Sequence, residues 1–180
     1  MYTTLNKIRE HGPCSFGWLK LLRYLGKAKP DDEPLSLATI LKSNGLGDAI
    51  WCLRAVDGCE REMRLFAVKC VRSLQHEISD QRALTALDVA EAYANGGATV
   101  EQLRAAHDDA RLAVLELQLD SSSRAEYAAL GATVRAAEPD AAEAASWASA
   151  WMLWGNGDFQ EKLFIDTFIN REGEVNVQDS

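Results

Sequence analysis

Between Met63 and Ile78 the residues Met63, Phe66, Ala67, Cys70, Val71, Leu74 and Ile78 recur at steps of three and four. This draws one continuous apolar stripe along a helix of period 3.6. A stripe of that length has to be covered by other elements. Leu65 and Val68 stand off it, so a second neighbour is expected on that flank, with Glu60, Arg64, Lys69 and Arg72 left for water. A helix that is apolar on two flanks belongs in the middle of a domain. Glu60 precedes Arg64 by one turn, the favourable order for an exposed ion pair, but such a pair contributes only about 0.3 to 0.5 kcal/mol. Packing, not charge, has to hold this helix.

The same period runs through the rest of the chain. Thr3 or Thr4 can cap a first short helix carrying Leu5 and Ile8, and Pro13 marks its end. Trp18, Leu21, Leu22 and Leu25 form a stripe that stops at Gly26. The stretch KAKPDDEP, residues 27–34, is polar with two prolines and reads as the first real loop. Ser36 opens a helix with Leu37, Ile40 and Leu41 inward, and Asn44-Gly45 supplies a left-handed stop. A short helix from Ala49 to Val56 follows, ended by Gly58. Ser79 or Asp80 can cap a helix that turns Ala83, Leu84, Leu87, Ala90, Tyr93 and Ala94 inward and ends at Asn95, Gly96 and Gly97. Thr99 and Gln102 have capping-box spacing before a long helix from Val100 to about Leu119. LELQLD, within it, alternates like a strand, but no second alternating run stands beside it to pair with.

On that long helix Leu103, Ala106, Ala110, Ala113, Val114 and Leu117 form the apolar face, while Glu101, Asp108, Asp109 and Glu116 lie broadly opposite as an acidic ridge. Charge runs on helices are usually solvated faces, and this ridge is also the candidate contact surface. From Ala125 to Ala150 alanine occupies almost every second position, which favours helices packed with their backbones close together. Pro139 fits the first turn of a new helix. On that helix Trp147, Trp151 and Trp154 stand on one side. They read first as the large-residue side of a core and second as an exposed binding patch. Asp158 and Glu161 have capping spacing before a last apolar helix with Phe159, Leu163, Phe164, Ile165, Phe168 and Ile169. The expected fold class is all-α, a compact bundle of about eight to nine helices or stacked helix pairs. A single domain over 1–171 is expected, with an N-terminal subregion 1–30 set off by the loop 27–35 and a flexible tail from 172.

With 180 residues, 47% apolar and 26% charged, the chain can bury a core without disulfides or metal staples. No stretch is long and apolar enough to span a bilayer, and the first residues lack the apolar core of a secretory signal, so a cytoplasmic location is expected. Cys14, Cys52, Cys59 and Cys70 then read as reduced, packed thiols. His11 and Cys14 have a ligand-like spacing. Cys70 and His76, however, stand six apart on one helix and no second tight pair completes a zinc set, so neither metal nor cofactor is expected. The net charge of −8 is uneven: Lys and Arg number 12 against 10 Asp and Glu in residues 1–80, and 7 against 17 beyond. Such a carboxy-terminal half is a poor match for phosphate and a better one for a basic protein surface.

No glycine loop is followed by Lys-Ser or Lys-Thr to cradle phosphate, and neither His76 nor His107 sits in a motif that brings a nucleophile beside it. The densest polar group is Arg54, Asp57, Glu60, Arg61, Glu62 and Arg64 around Gly58. With so many cations adjacent, ion pairing that fixes a helix junction explains it more simply than acid–base chemistry. A binding protein is expected rather than an enzyme, its partner contacts on Glu101, Asp108, Asp109, Glu116, Trp147, Trp151 and Trp154.

LNKIREHGPC, GWLKLLRYLG, DDEPLSLATIL, WCLRAVDGCERE and ALDVAEAYANGGAT together give the run from Leu5 to about Arg111 a resemblance to a family of uncharacterised proteins common in phages and prophages of Gram-negative bacteria. The last of these segments also resembles a helical part of proteins proposed to give immunity in bacterial toxin systems. The resemblance implies a phage accessory protein that neutralises a host defence by binding it, in the manner of anti-CRISPR or anti-restriction proteins. The alternatives are an immunity protein that binds a cognate toxin, or a small enzyme using the Asp57–Arg64 group. The resemblance carries over no functional residues, and it leaves the oligomeric state open.

Overall fold

In a computed structural model the chain is all-α, with one two-stranded ribbon besides. Residues 1–119, 124–152 and 157–170 are described, without the side chains of 118, 119, 124 and 148–152. The chain divides into two compact units, one formed by residues 1–59 with the described residues 161–170, the other by the described residues of Glu60–Gln160. The proline-containing loop at 27–34 therefore lies inside the first unit, and the unit boundary falls at Cys59/Glu60.

In the first unit β1 (Tyr2–Thr3) pairs antiparallel with β2 (Leu35–Ser36). Both strands are too short to leave a period in the sequence. Thr4 caps α1 (Leu5–Glu10) by accepting the Lys7 amide, and the Cys14 sulfur accepts the Gly17 amide at 3.3 Å to cap α2 (Ser15–Leu25). Gly26 ends α2 in the left-handed conformation, which only glycine adopts at no steric cost. Ser36 caps α3 (Leu37–Asn44). Gly45 then turns the chain into α4 (Leu46–Trp51), which tightens into a 3₁₀ turn at Cys52–Ala55. The short helix thus starts three residues before the expected Ala49. Leu5, Ile8, Leu37, Ile40 and Leu53 are fully buried.

In the second unit α5 (Glu60–Arg72) packs against α6 (Gln81–Ala94), α8 (Arg124–Ala136) and α9 (Ala141–Met152), the central position its two apolar flanks require. It is shorter than its stripe. The chain tightens after Arg72, with the Leu74 amide bonding Val71 at 2.9 Å, and a 3₁₀ turn at Gln75–Glu77 replaces the helix. Ile78 stays buried all the same. Asp80 caps α6. The capping box opening α7 (Val100–Leu119) is complete, because the Thr99 amide donates to Gln102 Oε1 at 2.8 Å while the Gln102 amide donates to Thr99 Oγ1 at 3.3 Å. LELQLD is helical to Leu119. The core is built mostly of alanine, including Ala67, Ala83, Ala113, Ala129, Ala132, Ala136 and Ala144 around Val71, Leu87 and Leu130. Pro139 stands before the helix rather than in its first turn, since Asp140 caps α9 by accepting the Glu143 amide at 2.8 Å.

The last helix, α10 (Gly157–Phe164), continues as a π-helical turn over Ile165–Ile169. Asp158 is inside its first turn rather than at its cap. Phe164 and Phe168 are fully buried with ring centroids 5.0 Å apart, whereas Phe159 is exposed. The expected tail from 172 lies outside the described residues. No helix among the described residues is long and apolar enough to cross a membrane.

Candidate functional site

The outward side of α7 carries all four ridge carboxylates, Glu101, Asp108, Asp109 and Glu116, at exposed positions. They are there because the opposite side, Leu103, Ala106, Ala110 and Ala113, is consumed by the core. The ridge is not uniformly acidic. Leu112 and Leu115 are about half exposed between the carboxylates, at 51% and 49%, and Arg104 and Arg111 are exposed on the same helix. The face therefore offers apolar area rimmed by charge, the usual anatomy of a contact patch.

The four acids differ in how much they can offer a partner. Glu101 lies in the first turn, where its own backbone amide first and the Thr99 hydroxyl second hold its carboxyl below the ordinary 4.5. Asp109 has no ion pair among the described residues. Asp108 lies 3.2 Å from His107 Nδ1. Glu116 is already engaged, because Arg82 donates to it at 2.6 Å and to Asp80 at 2.7 Å.

The hydrogen bonds from Arg82 hold the carboxyls of Glu116 and Asp80 below their ordinary 4.5 and 3.8. A carboxyl whose pKa is lowered by folding stabilises the fold above its unfolded value, and that contribution is lost as pH falls through the folded value. Arg82→Gln is thus expected to melt below the wild type at pH 7, with the difference shrinking as the pH falls below 3.8 and the two carboxyls take up protons. A melting difference that does not shrink with falling pH would disprove the pairing.

Beside the ridge, a groove between α7 and α8 is lined by His107, Arg111, Tyr127, Arg135 and Glu138. His107 Nε2 is 3.6 Å and Arg135 3.8 Å from the Glu138 carboxylate. The Arg135 guanidinium lies 5.1 Å from the centroid of the Trp147 ring, and Trp147 Nε1 donates to Glu143 at 2.6 Å. A chain of polar contacts therefore runs from Asp108 through His107, Glu138 and Arg135 to Trp147. Of the two readings of the stripe, core side or exposed patch, Trp147 fits the second: it is 45% exposed, and its indole is held by two charged neighbours. The rest of the tryptophan stripe, the Trp151 side chain and Trp154, lies outside the described residues. Among the described residues, no Ser, Thr or Cys lines the groove.

The residues around Gly58 have partners in both units. In the first unit, Asp57 pairs with Lys7, and Arg54 donates to the Trp51 carbonyl at 2.9 Å with its guanidinium 4.5 Å over the Trp51 ring. In the second unit, Arg61 donates to Asn95 at 2.7 Å and lies 3.5 Å from Glu62, while Glu60 is exposed. Arg64 departs most from expectation. It is 2% exposed and donates to the backbone carbonyls of Ala136 at 3.3 Å, Glu138 at 2.6 Å and Pro139 at 2.7 Å, with the Tyr93 ring 5.3 Å away. Burial lowers its pKa.

Of the four cysteines, Cys52, Cys59 and Cys70 are buried and Cys14 is exposed. Burial pushes the Cys52 and Cys70 thiols up to about 12, which keeps them protonated and unreactive. Among the described residues no group of three or more His, Cys, Asp or Glu side chains is placed to hold a metal ion. Compared with protein-family models, with curated proteins and with solved structures, the chain finds no match in any of the three.

Proposed function

We propose that this chain is a non-enzymatic binding protein whose contact surface is the outward face of α7 together with Trp147. In this reading it is a phage accessory protein that inhibits a host defence or nucleic-acid-directed complex by occupying a basic surface of it. The observation that carries the reading is the juxtaposition on α7 of accessible carboxylates, Glu101, Asp108 and Asp109, with the half-exposed Leu112 and Leu115. Carboxylates steer a basic partner and set its register, while the two leucines and the braced indole supply apolar area and an aromatic anchor. Positioning of Trp147 before contact reduces the ordering cost of association.

The test is affinity capture from defence-carrying host cells with mass spectrometry, in parallel for the wild type and two variants. One reverses Glu101, Asp108 and Asp109 to Lys; the other replaces Leu112 and Leu115 by Asp. Both sets are exposed, so both variants are expected to keep the wild-type circular dichroism and melting. The wild type is expected to retain a basic partner in a salt-sensitive way, and both variants are expected to lose it. Glu116→Lys alone is expected to weaken capture less, because that carboxylate is already shared with Arg82. A partner retained by the triple reversal would remove the ridge from the mechanism.

A further inference from the structure

The first unit contains a cavity of about 170 Å³ that is separate from the α7 surface. Ile8, Leu21 and Ile40 form its apolar lining, Trp18 and Trp51 add aromatic walls, and Asp48 is the one charged residue among the side chains lining it. The carboxylate is held in place by a chain of hydrogen bonds. Ser43 Oγ donates to Asn44 Oδ1 at 2.7 Å, and Asn44 Nδ2 donates both to the Gly17 carbonyl at 2.8 Å and to Asp48 Oδ2 at 2.7 Å. Gly17 is what lets the carboxylate come so close to α2, since a Cβ there would lie 2.6 Å from Asp48 Oδ2 and 3.2 Å from the Cys14 sulfur.

Asp48 receives one side-chain donor and has no ion pair among the described residues. Asp48 is half-buried, and a carboxylate can accept about four hydrogen bonds, so acceptor capacity remains beside the apolar walls with no cation paired to it. A cation entering the cavity takes up that capacity in a charge-assisted pair, and aromatic faces attract the same charge. Arg54 over Trp51 is an instance in this unit. Size limits the rest of the ligand, since a cavity of roughly 150 Å³ holds benzene. We propose that this cavity is a binding site for a small organic monocation, a primary amine on a compact apolar body of about the size of a benzene ring.

The probes are benzylamine, benzyl alcohol and benzoate, which share a body and differ in charge. Tryptophan fluorescence and calorimetry are expected to show saturable binding of benzylamine, at least about tenfold weaker binding of benzyl alcohol, and none of benzoate. Asp48→Asn keeps an oxygen for Asn44, so it is expected to fold as the wild type does and to bind benzylamine no better than benzyl alcohol. Cys14 lines the cavity and is the exposed thiol, so saturating benzylamine is expected to slow its alkylation by iodoacetamide, read by peptide mass mapping. The proposal is overturned by absence of saturable binding, by equal binding of amine and alcohol, by an Asp48→Asn variant that binds benzylamine unchanged, or by Cys14 alkylation indifferent to the ligand. None of these outcomes bears on the α7 surface, whose own variants leave the cavity intact.

Discussion

Replacing Arg64 by methionine is expected to destabilise the second unit by about 2 to 4 kcal/mol, read as a lower urea midpoint with unchanged slope. Ala136 ends α8, so the carbonyls that Arg64 reaches belong to the end of that helix and the turn after it. Helix ends leave acceptors with no intrahelical donor, and the macrodipole makes that end partly negative. Arg64 supplies from α5 the cation and donors that a local cap would otherwise provide. Each buried acceptor left without a donor costs about 1 to 3 kcal/mol, part of which is offset because the guanidinium no longer has to be desolvated. Methionine keeps the apolar stem, so the loss isolates the hydrogen bonds. Lysine is expected to recover only part, because a single ammonium cannot reproduce a planar fork aimed at several carbonyls. Magnitude decides the matter: an exposed Arg64 paired with Glu60 would change stability by no more than about 0.5 kcal/mol.

Arg64 also marks where sequence reading stops. Periodicity identified the face of α5 that had to be covered and the second flank at Leu65 and Val68. Arg64 lies one turn before Val68, on that flank, so the pattern itself held the hint that an arginine was going inside. Its charge alone points to water, and the carbonyls that satisfy it are more than seventy residues away in sequence. Local chemistry was legible for the same reason that this contact was not. Thr4, Ser36, Asp80 and the Thr99–Gln102 pair cap helices where their spacing predicts, since a cap involves only residues within one turn. The premature end of α5 at Arg72 was not legible, because the apolar positions Leu74 and Ile78 keep their spacing while the backbone tightens. Exposure of the α7 carboxylates followed from the stripe opposite them. The pairing of Glu116 with Arg82 needed α6 and α7 side by side. Nothing in the sequence pointed to the cavity, whose lining comes from four separate helices.

Phe168→Ala is expected to cost the first unit about 3 to 5 kcal/mol, the usual range for truncating a fully buried aromatic side chain. Phe168 is 0% exposed, lies against Phe164 with the ring planes tilted by 45°, and sits in the π-helical turn that packs against α3. Its carbonyl accepts the Met1 amine at 3.0 Å. Because α3 carries Ile40 and Asn44 of the cavity lining, the vacated volume should loosen that helix first. Amide exchange is therefore expected to speed up over Leu37–Asn44, and benzylamine binding is expected to weaken in step with stability. Phe168→Leu, which leaves a smaller void, should lose less of both. The contrast with Asp48→Asn separates packing from charge. One variant lowers affinity by loosening the helix that positions Asn44, the other by removing the counter-charge from an intact lining. If Phe168→Ala melted like the wild type, the π-helical turn could not be a packing element of this unit, and the bracing of α3 would have to come from α2 and α4.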